Sequence, residues 1–207
     1  MLPQQIEDKS FQLIEERVPS HPFNQREWII VRRMIHATVD FDLVQTTTFH
    51  PEALSRGITA LRAGVPIISD TRMVKAGISL KRLRKYKTKV LCAISRADVI
   101  REARSTGKTR AATAMHKLAD ELAGSIVAIG NAPTALFELL EIAENKSRRP
   151  ALIVGVPVGL VGARESKEML MKSGIPSITV RGEKGGSPLA ASIINGLAQL
   201  AGDQNSD

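Results

Sequence analysis

The sequence is poor in the residues that cross-link a fold or stack on bases. It has one cysteine among 207 residues and few aromatic residues (Phe 5, Tyr 1, Trp 1). One cysteine excludes an internal disulfide and favours a reducing compartment. Cys92 lies in the apolar run 90–94, which predicts a small buried hydrophobe. The scarcity of aromatic residues argues against a surface that stacks the bases of single-stranded nucleic acid.

Long apolar stretches and targeting signals are missing too. The longest stretch without a charged residue, 185–202, contains Gly, Pro, Asn and Gln and predicts an amphipathic helix instead of a membrane span. The first 18 residues carry acidic side chains and lack an apolar core, so we expect no signal peptide. These features predict a cytoplasmic protein with no membrane partner.

Signatures of metal and nucleotide sites are also absent. No pair of the four histidines has metal-ligand spacing with a third donor nearby, so we expect no metal site. The glycines of loop 155–162 match neither a Walker loop nor a GxGxxG motif. Close packing of a strand against a helix is the favoured explanation for them, and a nucleotide site remains an alternative.

Positive charge is what the sequence has in excess. Lys and Arg number 29 against 21 Asp and Glu, which gives a net charge of +8 and a pI of about 9.9. A basic protein favours a polyanionic partner: nucleic acid, an anionic membrane surface or an acidic small molecule. The run Lys81–Lys89 holds six cations and no acid, and we expect it to be mostly solvated.

Hydrophobic periodicity predicts one α/β domain over residues 1–207. Helical spacing is found at 4–17, 24–38, 51–63, 107–122, 133–145, 163–173 and 187–201. Short apolar runs predict strands at 65–69, 89–95, 125–129, 151–156 and 175–180, with a further strand at 44–49. Continuous apolar strands that alternate with helices predict a mostly parallel sheet covered on both faces, after a helical N-terminal segment.

Candidate site residues follow from this arrangement, because ligands bind outside the carboxyl ends of parallel strands. His36 shares a helix face with Arg32 and Arg33, which suits a proton donor or acceptor near neutral pH beside groups that hold anions. The alternative is a histidine that satisfies a helix C-terminus. Arg110 and Lys167 begin predicted helices, where a cation opposes the helix dipole and so suggests a functional demand.

Several segments together carry a family resemblance. They are Arg33–Ala37, Ala63–Asp70 with Met73 and Val74, Ile129–Leu136, Gly155–Gly159 with Val161–Ala163 and Glu165–Lys167, and Arg181–Gly182 with Gly185–Ser187. In this order and at these separations, over about residues 6–201, they resemble the precorrin-8X methylmutase (cobalt-precorrin-8 methylmutase) family of cobalamin biosynthesis. The resemblance implies a three-layer α/β/α domain that works as a homodimer.

The resemblance also implies a reaction and a set of site residues. A methyl group moves from carbon 11 to carbon 12 of the corrin ring of precorrin-8 or cobalt-precorrin-8, giving hydrogenobyrinate or cobyrinate. No methyl donor or redox cofactor takes part. His36 would protonate a ring nitrogen or stabilise its protonated form. The substrate-binding positions that it implies are Ser10, Arg33, Asp70, Arg110 and Lys167, with Arg110 reaching across from the partner subunit.

Two positions depart from the pattern: Leu160 stands where an aromatic residue is expected, and Val39 where a small one is expected. The acidic tetrapyrrole would explain the positive charge by its rim of carboxylates, without nucleic acid as a partner. Two alternatives remain open. One is a protein that binds a corrin without converting it, and the other is a nucleotide or nucleic-acid binder.

Overall fold

A computed structural model describes residues 2–203, apart from the side chains of Pro3 and Gln4. The α-helices are α1 (Pro3–Arg17), α2 (Gln25–Thr38), α3 (Leu43–Thr46), α4 (Ala53–Arg62), α5 (Arg72–Gly77), α6 (Leu80–Leu83), α7 (Ala97–Thr106), α8 (Arg110–Lys117), α9 (Pro133–Ile142), α10 (Ala163–Lys172) and α11 (Ser187–Leu200). The strands are β1 (Thr47–Phe49), β2 (Ile67–Ser69), β3 (Val90–Leu91), β4 (Ile126–Ile129), β5 (Leu152–Gly155) and β6 (Ser177–Val180). None of the helices in this range is long and apolar enough to cross a membrane.

The six strands form one sheet in the order β1-β6-β5-β4-β2-β3. Strands β2 to β6 pair in parallel, and β1 pairs antiparallel with β6 at one edge. Strands β4, β5 and β6 are buried along their whole length. Such strands need apolar cover on both faces, which explains their continuous apolar sequence.

Two cores lie on opposite faces of the sheet, and neighbouring residues of one strand alternate between them. In β4, Ile126 and Ala128 join the core of α1, α2, α4, α5 and α11, whereas Val127 and Ile129 join the core of α7 to α10. This alternation is the two-residue period of a strand. The three-layer α/β/α architecture and the mostly parallel sheet are therefore as expected.

Helix α2, which contains His36, is fixed at its start and along its buried side. The side chain of Asn24 accepts hydrogen bonds from the backbone N–H groups of Arg26 and Glu27, and the Glu27 carboxylate accepts from the Asn24 N–H at 3.1 Å. This is the capping box that the sequence predicts. Ile30 packs against Gly196 of α11, where a Cβ atom would lie 2.9 Å from the Ile30 side chain.

Several predicted elements differ from those observed. Residues 43–46 are helical, so only 47–49 of the predicted strand 44–49 pair with the sheet. The predicted helix 107–122 begins at Arg110 because Gly107, with φ of 72°, ends α7 and Thr109 caps α8. Helices α5, α6 and α7 lie where no element was predicted. Cys92 is half-buried instead of buried. The predicted domain includes Met1 and residues 204–207, which lie outside the described residues.

Candidate functional site

A groove of about 320 Å³ between α1 and α2 holds two of the expected site residues. It is lined by Ser10, Leu13, Ile14, Arg17, Ile35, His36, Val39 and Phe41. Ser10 and His36 lie on different helices, so packing of α1 on α2 is what brings them together. The groove therefore combines one titratable ring with a largely apolar wall.

His36 is exposed on α2, and it does not satisfy the end of its helix. The carbonyl groups of Met34 and Ile35 accept instead from the Thr38 hydroxyl and the Val39 N–H, at 2.9 and 2.7 Å. Within residues 2–203 the His36 ring has no hydrogen-bond partner, and its closest ring contact is the edge of Phe11, with centroids 5.2 Å apart. Both ring nitrogens are thus available to a ligand, and the His36 ring makes no hydrogen bond to the end of its helix.

Arg33 lies one turn before His36 and is held in place from both sides. Its guanidinium donates to the side chain of Gln199 at 3.0 Å and forms an ion pair with Glu7 at 3.3 Å. Burial lowers the pKa of Arg33, the positive charge of Arg82 lowers it further, and Glu7 opposes both effects. The side chain is only 16% exposed, so it presents a positioned, partly desolvated cation.

The Ser10 hydroxyl donates to the Ile6 carbonyl at 2.7 Å within α1. A hydroxyl oxygen also has two lone pairs, so Ser10 keeps its capacity to accept a hydrogen bond while this donation is in place.

Asp70 is fully buried at the carboxyl end of β2, and it fixes the turn that follows β4. Its two carboxylate oxygens accept three backbone N–H groups, from Gly130 at 3.1 Å and from Asn131 and Ala132 at 2.8 Å each. Burial raises the pKa of Asp70, and the three N–H groups oppose that rise. Both oxygens are therefore engaged by this turn.

Lys167 is also fully buried, and it contacts the glycine-rich loop 181–186. Its amine donates to the Lys184 carbonyl at 2.6 Å, and burial lowers the pKa of Lys167 to about 8. The Lys184 amine in turn forms ion pairs with Asp40 at 3.0 Å and Asp42 at 2.6 Å, just after α2. Through these contacts the loop is tied to the segment that follows His36.

Arg110 lies apart from the groove at His36 and from loop 181–186. It is exposed at the start of α8, on the face of the sheet opposite to α1 and α2. The cap residue Thr109 bonds the Ala112 N–H at 3.2 Å and the Thr134 hydroxyl at 2.7 Å, which anchors this end of the helix. Arg110 does not line the groove of its own chain.

Two glycines of the glycine-rich segments 155–162 and 181–186 serve close packing. A Cβ atom on Gly155 would lie 2.4 Å from Leu170, and one on Gly185 would lie 2.3 Å from the Val156 carbonyl oxygen. The loops also bond directly, through Gly186 N–H to the Val156 carbonyl at 2.9 Å. At Gly155 and Gly185 these contacts support the packing explanation. Among the described residues, no group of three or more His, Cys, Asp or Glu could hold a metal ion.

Sequence reasoning missed Arg17 and Phe41 as groove residues. The Arg17 guanidinium lies 5.4 Å from the centre of the Phe41 ring, and both residues line the groove. Residues 10, 13, 14 and 17 follow the i, i+3, i+4, i+7 pattern of one helix face, so the spacing contained the signal for Arg17. Phe41 follows α2 outside any regular element, and its position depends on the tertiary fold.

Comparison with known proteins gives one consistent result. The family model described as Precorrin-8X methylmutase matches residues 5–200. The cobalt-precorrin-8 methylmutase of Priestia megaterium is 43% identical, over 96% of this chain and 88% of the relative. That of Leptospira interrogans is 45% identical, over 95% and 93%. The solved precorrin-8x methyl mutase from Thermus thermophilus superposes with a TM-score of 0.90 at 39% identity, over 99% of this chain and 98% of that chain.

Proposed function

Because the chain belongs to the precorrin-8X methylmutase family and is a methyl-shifting isomerase of cobalamin biosynthesis, we propose that His36 supplies the proton on which the shift depends. The observation that supports this role is the position of His36 in the groove between α1 and α2, without a hydrogen-bond partner among residues 2–203. A histidine in this setting is able to give a proton to a ligand and take it back.

The proposed reaction is an intramolecular shift that conserves atoms and electrons. Protonated His36 donates to a ring nitrogen of the corrin, which draws electron density into the ring. The bond from the methyl group to carbon 11 then breaks as the bond to carbon 12 forms, and the double bonds of the ring move accordingly. The proton returns to His36 at the end. Since nothing is oxidised or reduced, the step as written needs no methyl donor and no redox cofactor.

The remaining site residues hold the acidic tetrapyrrole. Arg33 and Ser10 meet its carboxylates beside His36. Lys167 is covered by loop 181–186, and it receives a carboxylate once this loop opens, since its ammonium has three N–H donors and the Lys184 carbonyl takes one. Asp70 acts on the pocket through the turn 130–132 that it fixes.

The enzyme works as a cytoplasmic homodimer in this proposal, with Arg110 of one subunit reaching the site of the other. Its exposure and its place on the opposite face of the sheet from His36 support a contact between subunits.

A subunit-mixing experiment tests this shared site. His36→Asn and Arg110→Ala subunits, each inactive at low substrate concentration, are refolded together and the mixed dimers are isolated by two affinity tags. In a symmetric dimer each mixed pair has one intact site out of two, so the isolated mixed dimers are expected to show about half of the wild-type rate. Mixed dimers that form but stay inactive would show that Arg110 does not act in the partner's site.

The affinity for the corrinoid is expected to depend on pH through Lys167. Its pKa of about 8 in the free protein rises when a carboxylate binds, so binding takes up a proton above pH 8. The Kd of hydrogenobyrinate is therefore flat below about pH 8 and rises above it, by up to about tenfold per pH unit. Lys167→Met removes this rise. An equal slope in both proteins, measured by visible absorption titration, would remove Lys167 from the binding site.

A further inference from the structure

A second groove lies beside helix α6 and is much larger than the groove at His36. We call it the basic groove; it has a volume of about 860 Å³ and is lined by Ser79, Lys81, Arg82, Arg84, Lys85, Ala198, Gln199, Gly202 and Asp203. It runs between the segment 79–85 and the C-terminal end of α11. Four of its lining residues are cations and one is an acid.

The four cations of the basic groove are left without ion-pair partners in the described part of the chain. Elsewhere the basic residues Lys108, Arg164 and Lys184 pair with nearby carboxylates at 3.0 Å or less. The Lys85 amine lies 5.0 Å from the centre of the Tyr86 ring and close to Gly202, where a Cβ atom would be 2.5 Å from it. Cations that converge on one concavity repel each other, and an anionic ligand relieves that repulsion.

The basic groove adjoins the groove at His36. Gln199 lines the basic groove, and its side chain accepts the hydrogen bond from Arg33 at 3.0 Å. Arg33 precedes His36 by three residues on the same face of α2, and the charge of Arg82 acts on it. The contact between Arg33 and Gln199 thus links the basic groove to the face of α2 that carries His36.

The size of the substrate gives an independent reason to treat the two grooves as parts of one binding site. The groove at His36 holds about 320 Å³, at the lower end of the roughly 300–1,000 Å³ that ligand pockets span. A corrin macrocycle with acetate and propionate side chains on its rim is larger than ordinary small ligands. A ring that lies at His36 therefore has rim carboxylates to place outside that groove.

We propose that the basic groove is an anion subsite that takes rim carboxylates of the corrinoid, with Lys81, Arg84 and Lys85 as their exposed partners. This inference rests on the proposed function, because the ring has to lie at His36 for its rim to reach the groove. Lys and Arg side chains hold carboxylates by charge-assisted hydrogen bonds. The subsite adds affinity and orients the ring, and it accounts for a large part of the basic run 81–89.

A charge-matched pair of variants tests the subsite. The test variant combines Lys81→Gln, Arg84→Gln and Lys85→Gln. The control combines Lys75→Gln, Lys87→Gln and Lys89→Gln, which removes the same charge from three exposed residues that do not line the basic groove. The Kd of hydrogenobyrinate is measured by visible absorption at about 0.05 M and about 0.5 M NaCl. A corrinoid whose carboxylates are all amides serves as the second ligand.

The test variant is expected to bind hydrogenobyrinate about 10- to 100-fold more weakly than the control at low salt, with a smaller difference at high salt. The two variants bind the amidated corrinoid equally. Equal affinities of the two variants for hydrogenobyrinate would overturn the subsite and leave the proposed function standing. Failure of the unmodified protein to bind hydrogenobyrinate at all would overturn both.

Discussion

Replacing His36 by asparagine is expected to lower kcat for the conversion of precorrin-8 by about 100- to 10,000-fold, the range that a lost general acid or base produces. Asparagine keeps a polar side chain of similar size but cannot transfer a proton. The side chain is exposed and has no hydrogen-bond partner among residues 2–203, so its replacement leaves no buried group unsatisfied. The effect should therefore appear in the chemical step and leave folding unchanged.

His116→Asn provides the matched control for this prediction. His116 is exposed on α8, on the other face of the sheet, where it contacts the carboxylate of Glu138 at 3.2 Å. The control is expected to turn over at a rate close to that of the unmodified protein. Circular dichroism and the Kd of hydrogenobyrinate show whether the His36 variant is folded and binds. Wild-type turnover in His36→Asn would exclude this residue from proton transfer.

Replacing Asp70 by alanine is expected to lower the free energy of unfolding by about 3–5 kcal/mol, the largest loss of stability among these substitutions. The change leaves three backbone N–H groups of the turn 130–132 without their acceptor, and each such loss costs about 1–3 kcal/mol where the group is buried. Because water reaches part of the turn, the expected loss of stability is smaller than the sum of three fully buried losses. The loss in the free energy of unfolding is measured by urea denaturation, with the fluorescence of Trp28 as the probe.

Two further variants separate the loss of the turn from a loss of charge. Asp70→Asn keeps one carbonyl oxygen in place, so a smaller loss than that of Asp70→Ala is expected. Asp98→Ala removes a carboxylate that pairs with Arg96 at 2.7 Å on the surface, and its effect should be much smaller than that of Asp70→Ala. If Asp70→Ala were no more destabilising than Asp98→Ala, the carboxylate would not be what fixes the turn.

The sequence predicts the sheet and α2 well because the signals are local. Strands β4 and β5 are runs of buried apolar residues, and α2 combines a capping box with an apolar face. Helix α7 escaped prediction because only Val99 and Ala103 on it are buried, which is too narrow an apolar stripe to set a period. Helices α5 and α6 have six and four residues, too few for a helical period to show.

The candidate site is less accessible to sequence reasoning because it forms between distant segments. Arg33 and His36 share a helix face that spacing predicts, but Gln199 reaches Arg33 across 166 residues. Lys81, Arg84 and Lys85 are exposed, as a charged run predicts, yet the concavity they line is completed by the end of α11. Asp70 stands next to a strand in the sequence, and only the fold shows that both its oxygens hold the turn 130–132.

The role of His36 is tested most directly by following a labelled methyl group. Precorrin-8 with carbon-13 in the methyl group on carbon 11 is incubated with the purified protein and with His36→Asn, and the position of the label is read by NMR. The proposed mechanism predicts that the label moves to carbon 12 with the unmodified protein and stays on carbon 11 with the variant. A label that reaches carbon 12 equally fast in both would contradict it.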